Sequence, residues 1–271
     1  MIDAVLTKFG LARMPFGRDL PPSRLHRHRD CGEAAARIAW AVADKTIAMV
    51  TGEVGTGKTV AIRSAVADLD AAAHTVIYVG NPATGVRGIL AHVVTALGGK
   101  PVHGTAALAV QAWTVLAGED AERGRTPVLI IDEAHVLDHD QLESIRMMTS
   151  HDMDSSTPFA TILVGQPTLR HSVRLGVLAA LEQRITVRYQ MKGMTPDETA
   201  GYIRHHLDQA GRTTELFTDE AITQIHQAAR GKPRTVNNIA TAALIATAGA
   251  GKNLVDHASA RAAIAEVTAT D

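Results

Sequence analysis

A strand-like run, Thr46–Thr51, leads directly into Gly52-Glu53-Val54-Gly55-Thr56-Gly57-Lys58-Thr59, and a helical stretch follows at once. Nothing else in the 271 residues restricts the fold as strongly. The glycines let the backbone wrap so that successive N–H groups point inward, and the following helix adds the positive end of its dipole. In the G-x-x-x-x-G-K-[ST] spacing, placed between a strand and a helix, that arrangement is a cradle for a polyphosphate. Gly52, Glu53, Val54, Gly55, Thr56, Gly57, Lys58 and Thr59 are therefore the expected nucleotide-binding residues. Lys58 is expected to reach the β- and γ-phosphates and the Thr59 hydroxyl to be a magnesium ligand, with ATP and Mg2+ as the bound groups.

A chain built around such a loop needs a parallel sheet, and the apolar runs supply one. Thr46–Thr51, Thr75–Val79, Val128–Asp132, Ala160–Val164 and Ile185–Tyr189 are short, β-branched and bounded by polar, Gly or Pro residues. Their near-continuous apolarity predicts strands buried on both faces. Between them lie helical stretches. Ile62, Ala65, Val66 and Leu69 share one face, Thr105–Ala117 is alanine-rich, and Leu142, Ile145 and Met148 form one stripe over Asp140–Met148. Alternating β and α implies right-handed crossovers with helices on both sides of the sheet. After Tyr189 the periodicity is helical only: Pro196–Ala210, Asp219–Ala229, Thr235–Ala248 and His257–Val267. The predicted division is a nucleotide-binding domain with an N-terminal extension over 1–190 and a helical lid over 191–271.

The third strand ends in two adjacent acids, Asp132 and Glu133. A carboxylate at the C-terminal tip of a parallel strand faces the crevice where such sheets bind ligands. Asp132 is expected to hold the magnesium, with Thr59, and to line the nucleotide site. Glu133 is expected to orient and deprotonate the attacking water. His135 is left open between a polar loop role and a part in the chemistry.

Composition adds limits. The formal charge is −1, without the positive excess most dedicated nucleic-acid binders carry, although a ring can confine a basic lining to one face. One cysteine, Cys31, excludes an intramolecular disulfide and fits a reducing compartment. No apolar run reaches the ~18 residues a membrane span needs, so a cytoplasmic protein is expected.

With these residues in place the chain resembles the AAA+ ATPases, and within them the group of ExeA-like secretion ATPases and TnsC/TniB-like transposition ATPases. The likeness rests on Phe9-Gly10-Leu11 with Pro15-Phe16, the glycine loop, and the strand ending Asp132-Glu133-Ala134-His135. It also rests on Leu163-Val164-Gly165-Gln166-Pro167, on Leu181-Glu182-Gln183-Arg184-Ile185, and on Gly231-Lys232-Pro233-Arg234 with Asn237. The resemblance implies an αβα sandwich with a five-stranded parallel sheet of order 5-1-4-3-2 and a C-terminal helical lid. It implies that Gln166 is the sensor contacting the γ-phosphate or the water, that Arg184 is the arginine finger acting on a neighbouring subunit, and that Arg234 is the second sensor. Arg174 and Arg188 are rival fingers.

The partners expected from the resemblance are further copies of the chain, as a ring or helical filament, with double-stranded DNA bound without sequence preference and a transposase. The run Arg24-Leu25-His26-Arg27-His28-Arg29 is open to two readings, contact with DNA or a neighbouring protomer, or a solvated basic edge near the adenine. The favoured function is a transposition helper that hydrolyses ATP; the alternatives are an ExeA-like secretion ATPase and a replication-type initiator or helicase loader. No membrane partner is expected.

Overall fold

The computed structural model describes residues 2–17, 20–150 and 157–269. The strands are β1 (Ile47–Gly52), β2 (His74–Val79), β3 (Thr126–Ile131), β4 (Ala160–Gly165) and β5 (Ile185–Met191). The helices are α1 (Ile2–Phe9), α2 (Arg29–Ala43), α3 (Lys58–Asp68), α4 (Gly85–Ala96), α5 (Thr105–Ala121), α6 (His139–Met148), α7 (Pro167–Val173) and α8 (Ala179–Arg184), followed by α9 (Pro196–Gln209), α10 (Asp219–Ala229), α11 (Pro233–Gly249) and α12 (His257–Thr268).

All strand pairings are parallel and the sheet order is β2-β3-β4-β1-β5, the expected order read from the other edge. β1 and β4 are buried along their whole length, as a strand flanked on both sides and covered on both faces must be. The expectation of burial on both faces fails at the margins. β5 alternates buried Ile185, Val187 and Met191 with exposed Thr186, Arg188 and Gln190, and β2 exposes Val76 and Tyr78. Each is an edge strand, and the polar or half-exposed alternate positions suit an edge.

The chain divides into two compact units. The larger, 33–53 with 58–191, is the sheet and its covering helices, with Met49, Leu129, Ile131 and Leu163 among the residues of its core. Each such side chain contributes about 1.5–3 kcal/mol when fully buried. α4 escapes a periodicity search because it opens on Gly85, contains Gly88, and buries the strand-like residues Ile89, Leu90, Val93 and Val94.

The second unit comprises 1–32, 54–57 and 192–271. The N-terminal segment, expected to extend the nucleotide-binding domain, instead shares the helical core: Val5, Phe9, Leu11 and Phe16 are buried with Ile203, Leu207, Ile225 and Ile239. Amphipathic α1 has too few apolar residues to bury alone, and the helical unit supplies its other wall. Three helices there, α9, α10 and α12, start where their caps dictate. Thr195 and Glu198 form a reciprocal capping box with Pro196 at the first turn, and Thr218 and Asp256 cap α10 and α12, each cap adding about 1 kcal/mol. Gly231, at φ +68°, could not be any other residue: a Cβ there would lie 2.1 Å from the Met194 carbonyl oxygen.

The basic run packs into this same unit rather than standing free. His28 is buried, His26 lies edge-on to Tyr202 with ring centroids 5.7 Å apart, and the His205 ring is hydrogen-bonded to the Arg24 carbonyl at 2.8 Å. Cys31 is also buried, and burial pushes its thiol up to about 11, which leaves it unreactive.

Candidate functional site

Three adjacent strands, β3, β4 and β1, deliver the expected residues to the C-terminal edge of the sheet: Asp132, Gln166 and the loop from Gly52 each follow the last residues of a strand. Within the loop Gly55 and Gly57 have φ of +84° and +95°, a region that L side chains rarely adopt. Thr56 is fully buried, whereas Glu53 and Val54 are exposed. Lys58 opens α3 and is only 7% exposed; its ammonium donates to the Gly52 and Glu53 carbonyls at 2.8 and 3.1 Å. A cation folded onto the rim of an N–H-lined loop at a helix start is a site built for an anion of several charges.

Thr59 and Asp132 face each other, the hydroxyl donating to Asp132 Oδ2 at 3.3 Å. A hydroxyl and a carboxylate side by side are hard oxygen donors, the chemistry a magnesium ion requires. Asp132 is 4% exposed and fully engaged. Oδ1 accepts from the Glu133 amide at 2.9 Å, and Oδ2 accepts from the Tyr78 hydroxyl at 2.8 Å. Partial burial, and then the hydrogen bond to Asp132, push the Tyr78 hydroxyl up to about 12, so it remains a donor. The sequence offers no signal for Tyr78 beyond its place in a strand. The contact arises because β2 lies beside β3 in the sheet.

Glu133 stands in the left-handed region at φ +53°, ψ +31°, and its side chain is 48% exposed. A non-glycine residue held there costs about 1–3 kcal/mol, a strain that clusters at working sites. Glu133 Oε2 lies 3.2 Å from His135 Nδ1, and His135 Nε2 lies 2.9 Å from Gln166 Nε2. His135, left undecided by the sequence, thus sits between the two.

Arg184, Arg188 and Arg174 fall elsewhere. Arg184 ends α8 immediately before β5, and Ile185 pairs with Ile47 at the start of β1. It is therefore at the N-terminal edge of the sheet, a strand length of roughly 20 Å from the loop on its own subunit. Its guanidinium donates to Thr149 Oγ1 at 3.2 Å. Arg188 donates to the Glu182 carbonyl, and Arg174 caps α7. Arg234, second in α11, belongs to the helical unit together with loop residues 54–57. Its amide donates to the Gly55 carbonyl at 3.3 Å, and a Cβ on Gly55 would come within 3.1 Å of Arg234 Cβ.

Comparison with known proteins agrees with this geometry. Residues 42–173 match the family model described as an AAA domain, a span that runs from the end of α2 through α7. General secretion pathway protein A of Aeromonas hydrophila is 31% identical over 265 residues, covering 96% of this chain and 48% of that protein. The chain thus spans about half the length of that curated relative. Among solved structures, the Aeropyrum pernix ORC2 protein in its ADPNP–ADP complexes superposes with a TM-score of 0.69 at 18% identity, covering 94% of this chain and 71% of that one. The structure of Drosophila ORC bound to DNA gives 0.66 at 18%, covering 98% and 66%. The fold is the P-loop AAA+ fold. Strand order, loop position and acid pair all fit it, and the matched segment carries Lys58, Thr59, Asp132, Glu133 and Gln166.

Proposed function

We propose that this AAA+ chain binds ATP with magnesium and hydrolyses it, and that nucleotide state governs its assembly with further copies of itself on duplex DNA, in the manner of a transposition helper. The observation that carries the ATPase reading is the convergence at one sheet edge of a buried lysine on a glycine loop, a Thr59–Asp132 pair and a carboxylate at Glu133.

Each residue has a part. The loop amides and Lys58 bind the triphosphate, and Lys58 exchanges its two carbonyl partners for phosphate oxygens. Thr59 and Asp132 would hold magnesium, which supplies neutralisation of charge on the β- and γ-oxygens. Glu133 accepts a proton from water attacking the terminal phosphorus, and Gln166 orients that water or the γ-phosphate through its amide. Arg184, displaced from its own site by the length of the sheet, acts on a neighbour's, so that hydrolysis depends on assembly. Arg234, hydrogen-bonded to the loop through its amide, reports the γ-phosphate to the helical unit.

The DNA reading starts from a fold shared with an ORC structure solved with DNA. A secretion-type ATPase is the second reading, and the 31% identity to General secretion pathway protein A favours it. No helix among the described residues is long and apolar enough to cross a membrane. One experiment tests both levels. Glu133→Gln should bind ATP as tightly as the unsubstituted chain while turnover falls by roughly 10²–10⁴-fold. Electron microscopy of that variant with ATP should show rings or filaments that need duplex DNA. Rapid turnover would remove Glu133 from its role, and assemblies indifferent to DNA would favour the secretion reading.

A further inference from the structure

We propose that His135 is a positioning residue that ties the Glu133 carboxylate to the Gln166 amide, so that the group activating water responds to the group that senses the γ-phosphate. The inference rests on the ATPase reading and deepens it.

One imidazole has two nitrogens, and here each has a different partner. Nδ1 lies 3.2 Å from Glu133 Oε2 and Nε2 lies 2.9 Å from Gln166 Nε2. A neutral ring with its proton on Nδ1 satisfies both, donating to the carboxylate and accepting from the amide. The ring is 15% exposed and sits on the short 3-10 turn Ala134–Val136, whose first residue is fully buried. That turn is pressed against the end of β4: a Cβ on Gly165 would come within 3.2 Å of the His135 amide nitrogen. Close packing of backbone on backbone therefore places the ring beside Gln166, while the left-handed Glu133 brings its carboxylate to the other side.

A further contact makes the link switchable. The Gln166 backbone N–H lies 3.4 Å from the same Nδ1 that faces Glu133, so the two compete for it. With the proton on Nε2, the ring donates to a flipped Gln166 amide oxygen, Nδ1 accepts the backbone N–H, and Glu133 is released. Which tautomer holds depends on the way the Gln166 amide faces. A sensor that turns its amide toward a phosphate oxygen thus alters the hold on Glu133 through a single shared ring, with no movement of the strands.

The test measures ATP binding and steady-state turnover separately in His135→Phe and His135→Gln, each alone and combined with Glu133→Gln. His135→Phe keeps the ring volume and removes both polar contacts; it should lower kcat by roughly 10- to 100-fold with ATP affinity unchanged. His135→Gln carries one donor and one acceptor and should recover most of that loss. In the Glu133→Gln background, His135→Phe should cause no further fall, because the two act as a unit. If the Phe variant loses its cooperative melt, His135→Asn serves in its place, since its short amide reaches one partner only. Unchanged kcat in a folded variant, a fully additive double variant, or equal losses in the Phe and Gln variants each overturn the inference. Absence of ATP binding in the unsubstituted chain would instead overturn the ATPase reading beneath it.

Discussion

Lys58→Met isolates the charge on which the proposed nucleotide binding depends. Methionine keeps an unbranched apolar stem where Lys58 is 7% exposed, and it removes the ammonium that bonds the Gly52 and Glu53 carbonyls at 2.8 and 3.1 Å. Those two bonds show that two donors can be satisfied at the loop rim. In the proposed complex they pass to phosphate oxygens, and hydrogen bonds between charged groups contribute about 1.5–3 kcal/mol each. Two such bonds come to about 3–6 kcal/mol, which is a weakening of ATP affinity by roughly 10²–10⁴-fold. The apo protein should lose about 1–3 kcal/mol, because water replaces the donor at the exposed Glu53 while the buried Gly52 carbonyl is left without this partner. Calorimetric titration with ATP and magnesium in the Glu133→Gln background, which suppresses turnover, reads the affinity directly. Thermal melts give an independent reading: ATP at about 1,000 times its Kd stabilises the unsubstituted protein by about 4 kcal/mol, and the variant should show almost none of that shift. An affinity within a few-fold of the parent, in a variant whose apo melt remains cooperative, would refute the assignment of the loop.

Arg184→Ala and Lys58→Ala should each be inactive alone yet regain turnover when mixed, since one supplies the nucleotide site and the other the guanidinium. Absence of recovery at every ratio, with co-assembly shown by light scattering, would place the finger elsewhere, Arg188 and Arg174 being next to substitute. Acid should weaken the fold through histidines. Burial, followed by neighbouring charges that include His205, holds both His26 and His206 at about 4, against an ordinary value of 6.5. The unfolded chain then binds more protons than the folded one as pH drops from 6.5 towards 4, so the contribution is full above 6.5 and is lost through that window. His206→Gln, which keeps a donor for the Pro15 carbonyl that the ring now contacts at 2.8 Å, should flatten the fall in urea midpoint over that window. Identical pH slopes for parent and variant would refute the account.

Much of the site was readable because its parts are local in sequence. A glycine loop has to wrap, whatever surrounds it, and an acid pair at the end of an apolar strand has to emerge at the sheet edge. The position of Gln166 after β4 followed the same rule. Edge strands were less legible: β2 and β5 read as buried runs because local apolarity does not report which strand lies outermost. The N-terminal segment reads as an extension of the nearest domain in sequence, yet Phe9 and Phe16 belong to a core whose other wall lies more than 170 positions away.

Loop, acid pair and strand succession follow from the linear chain, since each depends on contacts among neighbours and on the steric preferences of glycine, β-branched residues and caps. The joining of Tyr78 to Asp132, of His135 to Gln166, and of Arg234 to Gly55 spans between 31 and 179 positions, and it exists only once strands and helices have packed. Such pairings are set by the free energy of burying whole faces, which fixes where elements sit. A side chain's partner is then whatever that packing brings within hydrogen-bond reach.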